Sequence, residues 1–127
     1  MKKILVIEDN REIRENTVEL LELSCFQVFS AANGKVGFQI AKQHKPDLIL
    51  CDMMMPETNG WDFLRMAKAD ERTHNIPLIF FSAGSFIPEM RNLMIAQSDQ
   101  YLPKPFTTDE LLSAVQIGLK GSESPLT

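Results

Sequence analysis

The sequence predicts an α/β fold of (βα)5 type, in which a doubly wound, five-stranded parallel sheet is covered by helices on both faces. Five short apolar runs alternate with five stretches whose apolar residues recur at helical spacing. The third run, residues 48–51, leaves no face for water, which is typical of a strand buried on both sides. The alternation implies right-handed crossovers, and there are too few of them for a barrel of eight strands.

Length, charge and composition restrict the class of protein. The 127 residues suffice for one domain with a sizeable core, and the net charge of -4 comes without a stripe of basic residues. We therefore expect that this chain does not bind nucleic acid itself. No apolar run reaches membrane-spanning length or forms a signal-peptide core, so we expect a cytoplasmic protein that binds no membrane. Cys25 and Cys51 lack metal-site spacing and are predicted to be small buried side chains.

The first half of the chain predicts three strands and two helices. Asn10 is the predicted N-cap of the first helix, and a turn at Asn33-Gly34 precedes the second. Pro46 closes the second helix and opens the third strand, which ends abruptly at Asp52. The predicted elements are a strand at 3–7, a helix at about 11–24, a strand at 26–31, a helix to about residue 44 and a strand at 48–51.

The second half repeats the alternation after a turn that runs from Pro56 to Gly60. Thr107 or Thr108 is predicted to cap the last helix. Residues 1–120 form the predicted domain, and residues 121–127 form a polar tail or the start of a linker. The elements are a helix at 61 to about 69, a strand at 77–82, a helix whose first turn holds Pro88, a strand at 100–102 and a helix after residue 108.

Acidic residues follow the first and third predicted strands. The carboxyl ends of parallel strands share one edge of the sheet, where ligands bind, so Glu8, Asp9 and Asp52 should meet there. Three crowded carboxylates repel one another unless a cation joins them. Their hard oxygen atoms suit Mg²⁺. We predict a magnesium site with Asp9 and Asp52 as direct ligands, Glu8 beside them and a backbone carbonyl near Met54 completing the set.

The same edge carries the groups that phosphoryl transfer requires. With a metal screening its charge, Asp52 is a feasible nucleophile that would become an acyl phosphate. Ser82 ends the fourth strand, Ala83 follows it, and Lys104 lies just past the fifth strand. Lys104 can pair with one phosphoryl oxygen, while the Ser82 hydroxyl and the Ala83 N–H can bind another.

These motifs, in this order and at these spacings, resemble the receiver domain of two-component response regulators, including the chemotaxis-regulator type, over residues 2–120. The resemblance implies a flavodoxin-like sheet with strand order 2-1-3-4-5, bound Mg²⁺, and a phosphoryl group taken from a phosphohistidine of a sensor histidine kinase or phosphotransfer protein. The matching motifs are the acidic pair Glu8-Asp9, the phosphoacceptor Asp52 with Pro56 and Gly60, the pair Ser82-Ala83, the switch aromatic Tyr101 and the pair Lys104-Pro105.

The resemblance also implies a switch. Ser82 would move toward the phosphoryl group and Tyr101 would rotate into the space that it leaves. The surface of the fourth helix, fifth strand and fifth helix would then change its affinity for a downstream partner or for a second copy. Such a domain catalyses only its own phosphorylation and dephosphorylation. Met54 and Gly84 stand where some relatives carry polar groups that orient water, so we expect slow self-dephosphorylation.

Three alternatives remain beside this interpretation. A receiver-like docking module would act without phosphorylation, although the complete acidic set and Lys104 argue against it. An aspartyl-phosphate phosphatase would need a second acid two residues after its nucleophile, where this chain has Met54. A flavin carrier would need a phosphate-binding loop where Glu8 and Asp9 would repel phosphate. With no output domain after the fifth helix, we expect either a free-standing regulator or a receiver taken from a larger protein.

Overall fold

The computed structural model describes residues 1–53, 60–82, 100–103 and 106–122. Five strands and four helices lie in these ranges, and none of these helices is long and apolar enough to cross a membrane. The helix predicted after Pro88 lies outside the described residues. The elements are β1 (Lys3–Ile7), α1 (Arg11–Leu23), β2 (Gln27–Ala31), α2 (Gly34–His44), β3 (Leu48–Asp52), α3 (Gly60–Ala69), β4 (Leu78–Ser82), β5 (Gln100–Pro103) and the C-terminal helix (Thr108–Ser122).

The five strands form one parallel sheet in the order β2-β1-β3-β4-β5. This order confirms the predicted doubly wound fold. β1 lies between β2 and β3, and its last residue, Ile7, is paired with Ala31 on one side and with Cys51 on the other. The carboxyl ends of β1 and β3 are therefore neighbours, so the residues that follow them share one short stretch of the sheet edge.

Alternate residues of each strand point to opposite faces, which gives the sheet two separate apolar layers. Leu5 and Ile7 pack with α2 and α3 on one face, whereas Ile4 and Val6 pack with α1 and the C-terminal helix on the other. Since both faces are covered, β1 and β3 consist almost entirely of fully buried apolar residues. This burial gives the edge above them a rigid base.

The helix starts follow the predicted capping chemistry. The side chain of Asn10 accepts the N–H of Ile13 at 3.0 Å, so Asn10 is the N-cap of α1 as predicted. Thr107 and Glu110 form a reciprocal capping box, with bonds of 3.0 Å and 2.8 Å. These caps fix where α1 and the C-terminal helix begin relative to the sheet edge.

Cys25 corrects the prediction that both cysteines are buried. Cys51 is fully buried in β3, but Cys25 is exposed in the turn after α1. Its φ of 71° lies in the left-handed region. The N–H of Cys25 bonds to the carbonyl of Glu22 at 3.0 Å and that of Phe26 to Leu21 at 3.2 Å, which closes the helix in the manner usually reserved for glycine. The turn geometry, rather than the side chain's hydropathy, determines its exposure.

Candidate functional site

The candidate site lies where β1 and β3 end. Ile7 pairs with Cys51, so Glu8 and Asp52 occupy the next position along the two neighbouring strands. One oxygen from each of Glu8, Asp9 and Asp52 can be chosen so that all three atoms lie within 4.8 Å of one another. The structure thus brings together the three carboxylates that the sequence predicted.

The burial of these acids differs. Glu8 and Asp52 are only 1% and 4% exposed, whereas Asp9 is exposed to solvent. Two carboxylates held out of water beside a third repel each other strongly because the surrounding dielectric screens them poorly. A divalent cation on the solvent side of the cluster would offset that repulsion, and three carboxylate oxygens match the ligand preference of Mg²⁺. The donor set therefore fits a magnesium ion that keeps part of its water shell.

The backbone from Glu8 to Asn10 is held from several directions. The N–H of Glu8 donates to the carbonyl of Ala31 at 3.0 Å, which continues the β1–β2 ladder by one residue. The N–H of Asn10 donates to a carboxylate oxygen of Glu8 at 3.1 Å. The Arg14 guanidinium donates to the Glu8 carbonyl at 2.8 Å. The contact from Arg14 was not predicted from the sequence, because helical spacing does not indicate a bond from a helix side chain back to a carbonyl six residues earlier.

Asp52 stands on an equally constrained strand end. The next residue, Met53, donates its N–H to the Phe81 carbonyl at 3.1 Å and accepts the N–H of Gly60 at 2.9 Å. A Cβ at Gly60 would lie 2.9 Å from the Met53 Cα, so the start of α3 approaches β3 more closely than another residue type would permit. These contacts fix the backbone directly after the predicted nucleophile.

Cys51 is a second potentially nucleophilic side chain beside the cluster. Burial raises its pKa well above the ordinary value for a thiol, and the negative charges of Asp52 and Glu8 raise it further. A neutral thiol is a poor nucleophile. The buried, acidic surroundings of Asp52 and Glu8 therefore keep Cys51 inert.

The remaining predicted site residues are described only in part. Ser82 is the last residue of β4, directly after Phe81, which pairs with Asp52, and Tyr101 lies in β5 paired with Phe80. The backbones of Ser82 and Tyr101 are described, but their side chains are not. Met54, Ala83 and Lys104 lie outside the described residues.

Comparison with known families gives a match over most of the chain. A family model, that of the response regulator receiver domain, matches residues 4–116. Among curated proteins, the transcriptional regulatory protein CpxR of Escherichia coli is 38% identical over 123 residues. That alignment covers 96% of this chain but 51% of CpxR, so the chain spans about half the length of such relatives.

Solved structures agree with this match. The Vibrio cholerae chemotaxis protein CheY4 superposes with a TM-score of 0.87 at 26% identity, covering 94% of this chain and 99% of CheY4. The receiver domain of the Pseudomonas aeruginosa sensor histidine kinase PA1611 superposes with a TM-score of 0.83 at 28% identity, covering 94% and 98% of the two chains. The PA1611 structure has a magnesium ion coordinated in its active-site cleft.

Proposed function

Because this chain belongs to the response regulator receiver family of two-component signalling, we propose that Asp52 is its phosphoacceptor and that Mg²⁺ is its cofactor. The observation that carries the proposal is the position of Asp52, a buried carboxylate at the end of a rigid strand whose oxygen lies within 4.8 Å of those of Glu8 and Asp9. A structural aspartate gains nothing from such neighbours, whereas a metal-dependent nucleophile requires them.

The proposed reaction transfers a phosphoryl group from a phosphohistidine of a sensor histidine kinase or phosphotransfer protein. A carboxylate oxygen of Asp52 attacks the phosphorus atom as the P–N bond breaks. The electron pair of that bond stays on the imidazole nitrogen, which takes up a proton. The product is an acyl phosphate on Asp52. A domain of this kind acts on itself and turns over no separate substrate.

The cation would be held by Glu8, Asp9, Asp52 and the backbone carbonyl of Met54. When bound, it neutralises charge on the carboxylates and on the transferred phosphoryl oxygens. Two side chains of the acidic cluster have different roles. Asp9 presents its carboxylate to solvent at the mouth of the site, while the bond from Asn10 to Glu8 at 3.1 Å orients the buried acid beside it.

Three further residues would bind the transferred group, on the strength of the sequence motifs. Lys104 would pair with one phosphoryl oxygen, and the Ser82 hydroxyl and the Ala83 N–H would bind another. The position of Ser82 supports this role, because it follows the residue paired with Asp52. The bound phosphoryl group would draw Ser82 inward and let Tyr101 rotate after it.

The output of the proposed switch is a surface that includes β5 and the C-terminal helix together with the helix predicted after Pro88. Ile117 on the C-terminal helix is 58% exposed, so this helix presents an apolar side chain to solvent. We propose that phosphorylation changes the affinity of this surface for a downstream protein or for a second copy. We also propose a cytoplasmic location, which suits a phosphodonor that is a sensor histidine kinase or phosphotransfer protein.

The test is the intact mass of the protein after incubation with acetyl phosphate, with and without Mg²⁺. We expect a mass increase of one phosphoryl group that requires Mg²⁺ and is absent in Asp52→Asn. Asp109→Asn is the matched control, because Asp109 is an exposed aspartate in the first turn of the C-terminal helix and is not a member of the acidic cluster. It should be phosphorylated like the parent. A folded parent protein that takes up no phosphoryl group would favour a docking module that works unphosphorylated.

The phosphorylated state should be long-lived. Neither Met54 nor Gly84 can orient a hydrolytic water through its side chain, so attack on the acyl phosphate depends on unassisted water. We expect Met54→Glu to shorten the lifetime, measured as phosphate loss from the isolated, metal-loaded domain. Met54→Leu is the control and should leave the lifetime unchanged. A parent lifetime of seconds would contradict this prediction.

A further inference from the structure

We propose that Arg14 is a positioning residue for the acidic site: by holding the carbonyl of Glu8, its guanidinium fixes the Glu8–Asp9 peptide in the orientation in which the carboxylates meet a cation. This inference rests on the proposed function, since it assigns a role toward the same cation. It adds a cationic side chain of α1 to the three acids at the sheet edge.

The contact joins two elements. Arg14 lies in the first turn of α1, where its N–H donates to the carbonyl of Asn10 at 2.9 Å. Its Nη1 reaches back over that turn to the Glu8 carbonyl at 2.8 Å, a charge-assisted bond of the short kind. The same side chain is half-buried and lines a surface groove with Val18 of α1 and Ser30 of β2. The planar guanidinium is preorganised, so it loses little freedom for each hydrogen bond that it forms.

The bonded carbonyl belongs to the peptide unit that carries the nitrogen of Asp9. Any rotation of this unit therefore displaces Asp9, which supplies the exposed carboxylate of the cluster. Ala31 holds the preceding N–H of Glu8 at 3.0 Å, and the following N–H of Asn10 is held by the Glu8 carboxylate at 3.1 Å. The bond from Arg14 restrains the peptide between these two points.

Positioning and charge act in opposite directions on cation binding. As a hydrogen-bond donor, Arg14 preorganises the acidic pair and should strengthen binding. As a positive charge next to the cluster, it repels a cation and should weaken binding. Removal of the side chain therefore weakens Mg²⁺ binding if positioning dominates and tightens it if only the charge matters.

Arg11 provides the matched control. It lies on the same helix and carries the same charge, but its guanidinium pairs with Glu15 at 3.0 Å and is largely exposed. Arg11→Ala removes a positive charge near the site without removing a bond to the Glu8–Asp9 peptide. The difference between the two alanine variants isolates the bond.

The experiment titrates Mg²⁺ by calorimetry into the whole chain and into Arg14→Ala, Arg14→Lys and Arg11→Ala. We expect Arg14→Ala to bind Mg²⁺ about tenfold more weakly, the lower end of the effect seen for groups that orient metal ligands. Arg14→Lys keeps one donor and should recover part of the affinity. Arg11→Ala should match the parent or bind slightly more tightly. The amide resonance of Asp9, recorded without metal, should move more in Arg14→Ala than in Arg11→Ala.

Affinity in Arg14→Ala equal to or tighter than in Arg11→Ala would overturn the proposal. An Asp9 amide shift in Arg14→Ala no larger than in Arg11→Ala would also overturn it. If the parent chain takes up no Mg²⁺, the proposed function fails, while the Asp9 amide still decides whether Arg14 sets the peptide. Thermal melts establish whether each variant is folded. If Arg14→Ala does not fold, Arg14→Lys is compared with Arg11→Ala instead.

Discussion

The amino ends and the carboxyl ends of β1 and β3 differ in how their polar groups interact. At the amino ends, the N–H of Lys3 donates to the Asp47 carboxylate at 2.7 Å, and the N–H of Asp47 donates to the Lys3 carbonyl at 2.8 Å. At the carboxyl ends of the same strands, Glu8 and Asp52 bring like charges together with Asp9. The amino end joins complementary groups, whereas the carboxyl end crowds repelling ones.

This difference indicates that unfavourable charge interactions in this fold are concentrated at the carboxyl ends of β1 and β3. Both ends rest on the same buried strands, so packing does not distinguish them. Mutual repulsion among the three acids opposes folding, and a bound cation would offset this repulsion, so the repulsion favours cation binding. The amino end needs no ligand and contributes to stability directly. The following predictions test this contrast, from the largest expected effect to the smallest.

The two cysteines lie near opposite ends of the sheet and should differ in their rate of reaction with an alkylating reagent. Cys25 lies exposed before β2, near the amino ends, and Cys51 is buried at the carboxyl end. In the native protein we expect iodoacetamide to modify Cys25 at least about a hundredfold faster, because Cys51 reacts only when the sheet opens. Intact mass over time measures this as a single rapid addition. Cys25→Ser should abolish that addition, and two equally fast additions would contradict the prediction.

The raised pKa of Cys51 also makes the free energy of unfolding depend on pH. Its folded pKa lies above its unfolded value, because burial and the neighbouring acids disfavour the thiolate. The resulting stability is fully present below the unfolded pKa and is lost as pH rises toward the folded pKa. Above about pH 9, the stability of the parent should therefore fall more steeply than that of Cys51→Ala.

Gly60→Ala should destabilise the protein by overpacking the carboxyl end of β3. The new Cβ would lie 2.9 Å from the Met53 Cα, a backbone atom that cannot move aside without displacing the strand end after Asp52. We expect the free energy of unfolding to fall by about 2–3 kcal/mol and phosphorylation to slow. Urea denaturation and the intact-mass assay measure the two effects.

Gly37→Ala is the control for this change. Its Cβ would meet the Cδ1 and Cγ1 atoms of Ile7 at 2.4 Å and 2.8 Å, which belong to a side chain that can shift without moving the backbone, unlike the Met53 Cα. We expect a smaller loss of stability and unchanged phosphorylation. Equal losses of stability in both variants would show that the backbone contact at Gly60 is no more restrictive than the side-chain contact at the end of β1.

Neutralising one aspartate at each end should change stability in opposite directions. Without Mg²⁺ at pH 7, Asp52→Asn should raise the free energy of unfolding by about 1–2 kcal/mol, because it removes one of three neighbouring like charges. Asp47→Asn should lower it by about 1 kcal/mol, because it weakens a charge-assisted bond to the Lys3 N–H.

Urea denaturation in EDTA, with and without added Mg²⁺, measures both changes. Mg²⁺ should stabilise Asp47→Asn and the parent alike, and should stabilise Asp52→Asn much less. A decrease in the stability of Asp52→Asn equal to that of Asp47→Asn would remove the contrast between the two ends.

Most of the sheet and the acidic cluster could be predicted from the sequence because their causes are local. The apolar runs determine the strands, and a parallel sheet places the residues that follow them on one edge. Asn10 could be identified as a cap because its partner is three residues away. The strand order was available only through the family resemblance, since apolar patterning does not say which strands are neighbours.

Other features depend on geometry that no pattern encodes. The exposure of Cys25 follows from a left-handed backbone at the end of α1, a position where glycine is the usual signal. His44, the last residue of α2, is half-buried and stacks on Phe29 of β2 with ring centroids 4.4 Å apart, a contact that helical spacing does not indicate. The bond from Arg14 to Glu8 joins a side chain to a carbonyl six residues earlier, and amphipathic spacing gives no indication of it.

The hydrogen bond between Gly60 and Met53 also has a consequence for chain entropy. It clamps the two ends of the segment that follows the proposed phosphoacceptor, at 2.9 Å. Once the ends are fixed, the conformational cost of closure grows only logarithmically with the number of residues between them, about 0.6 kcal/mol for each doubling. A change in the number of residues between them would therefore cost little closure entropy, provided that Met54, the proposed carbonyl ligand, still follows Met53 directly.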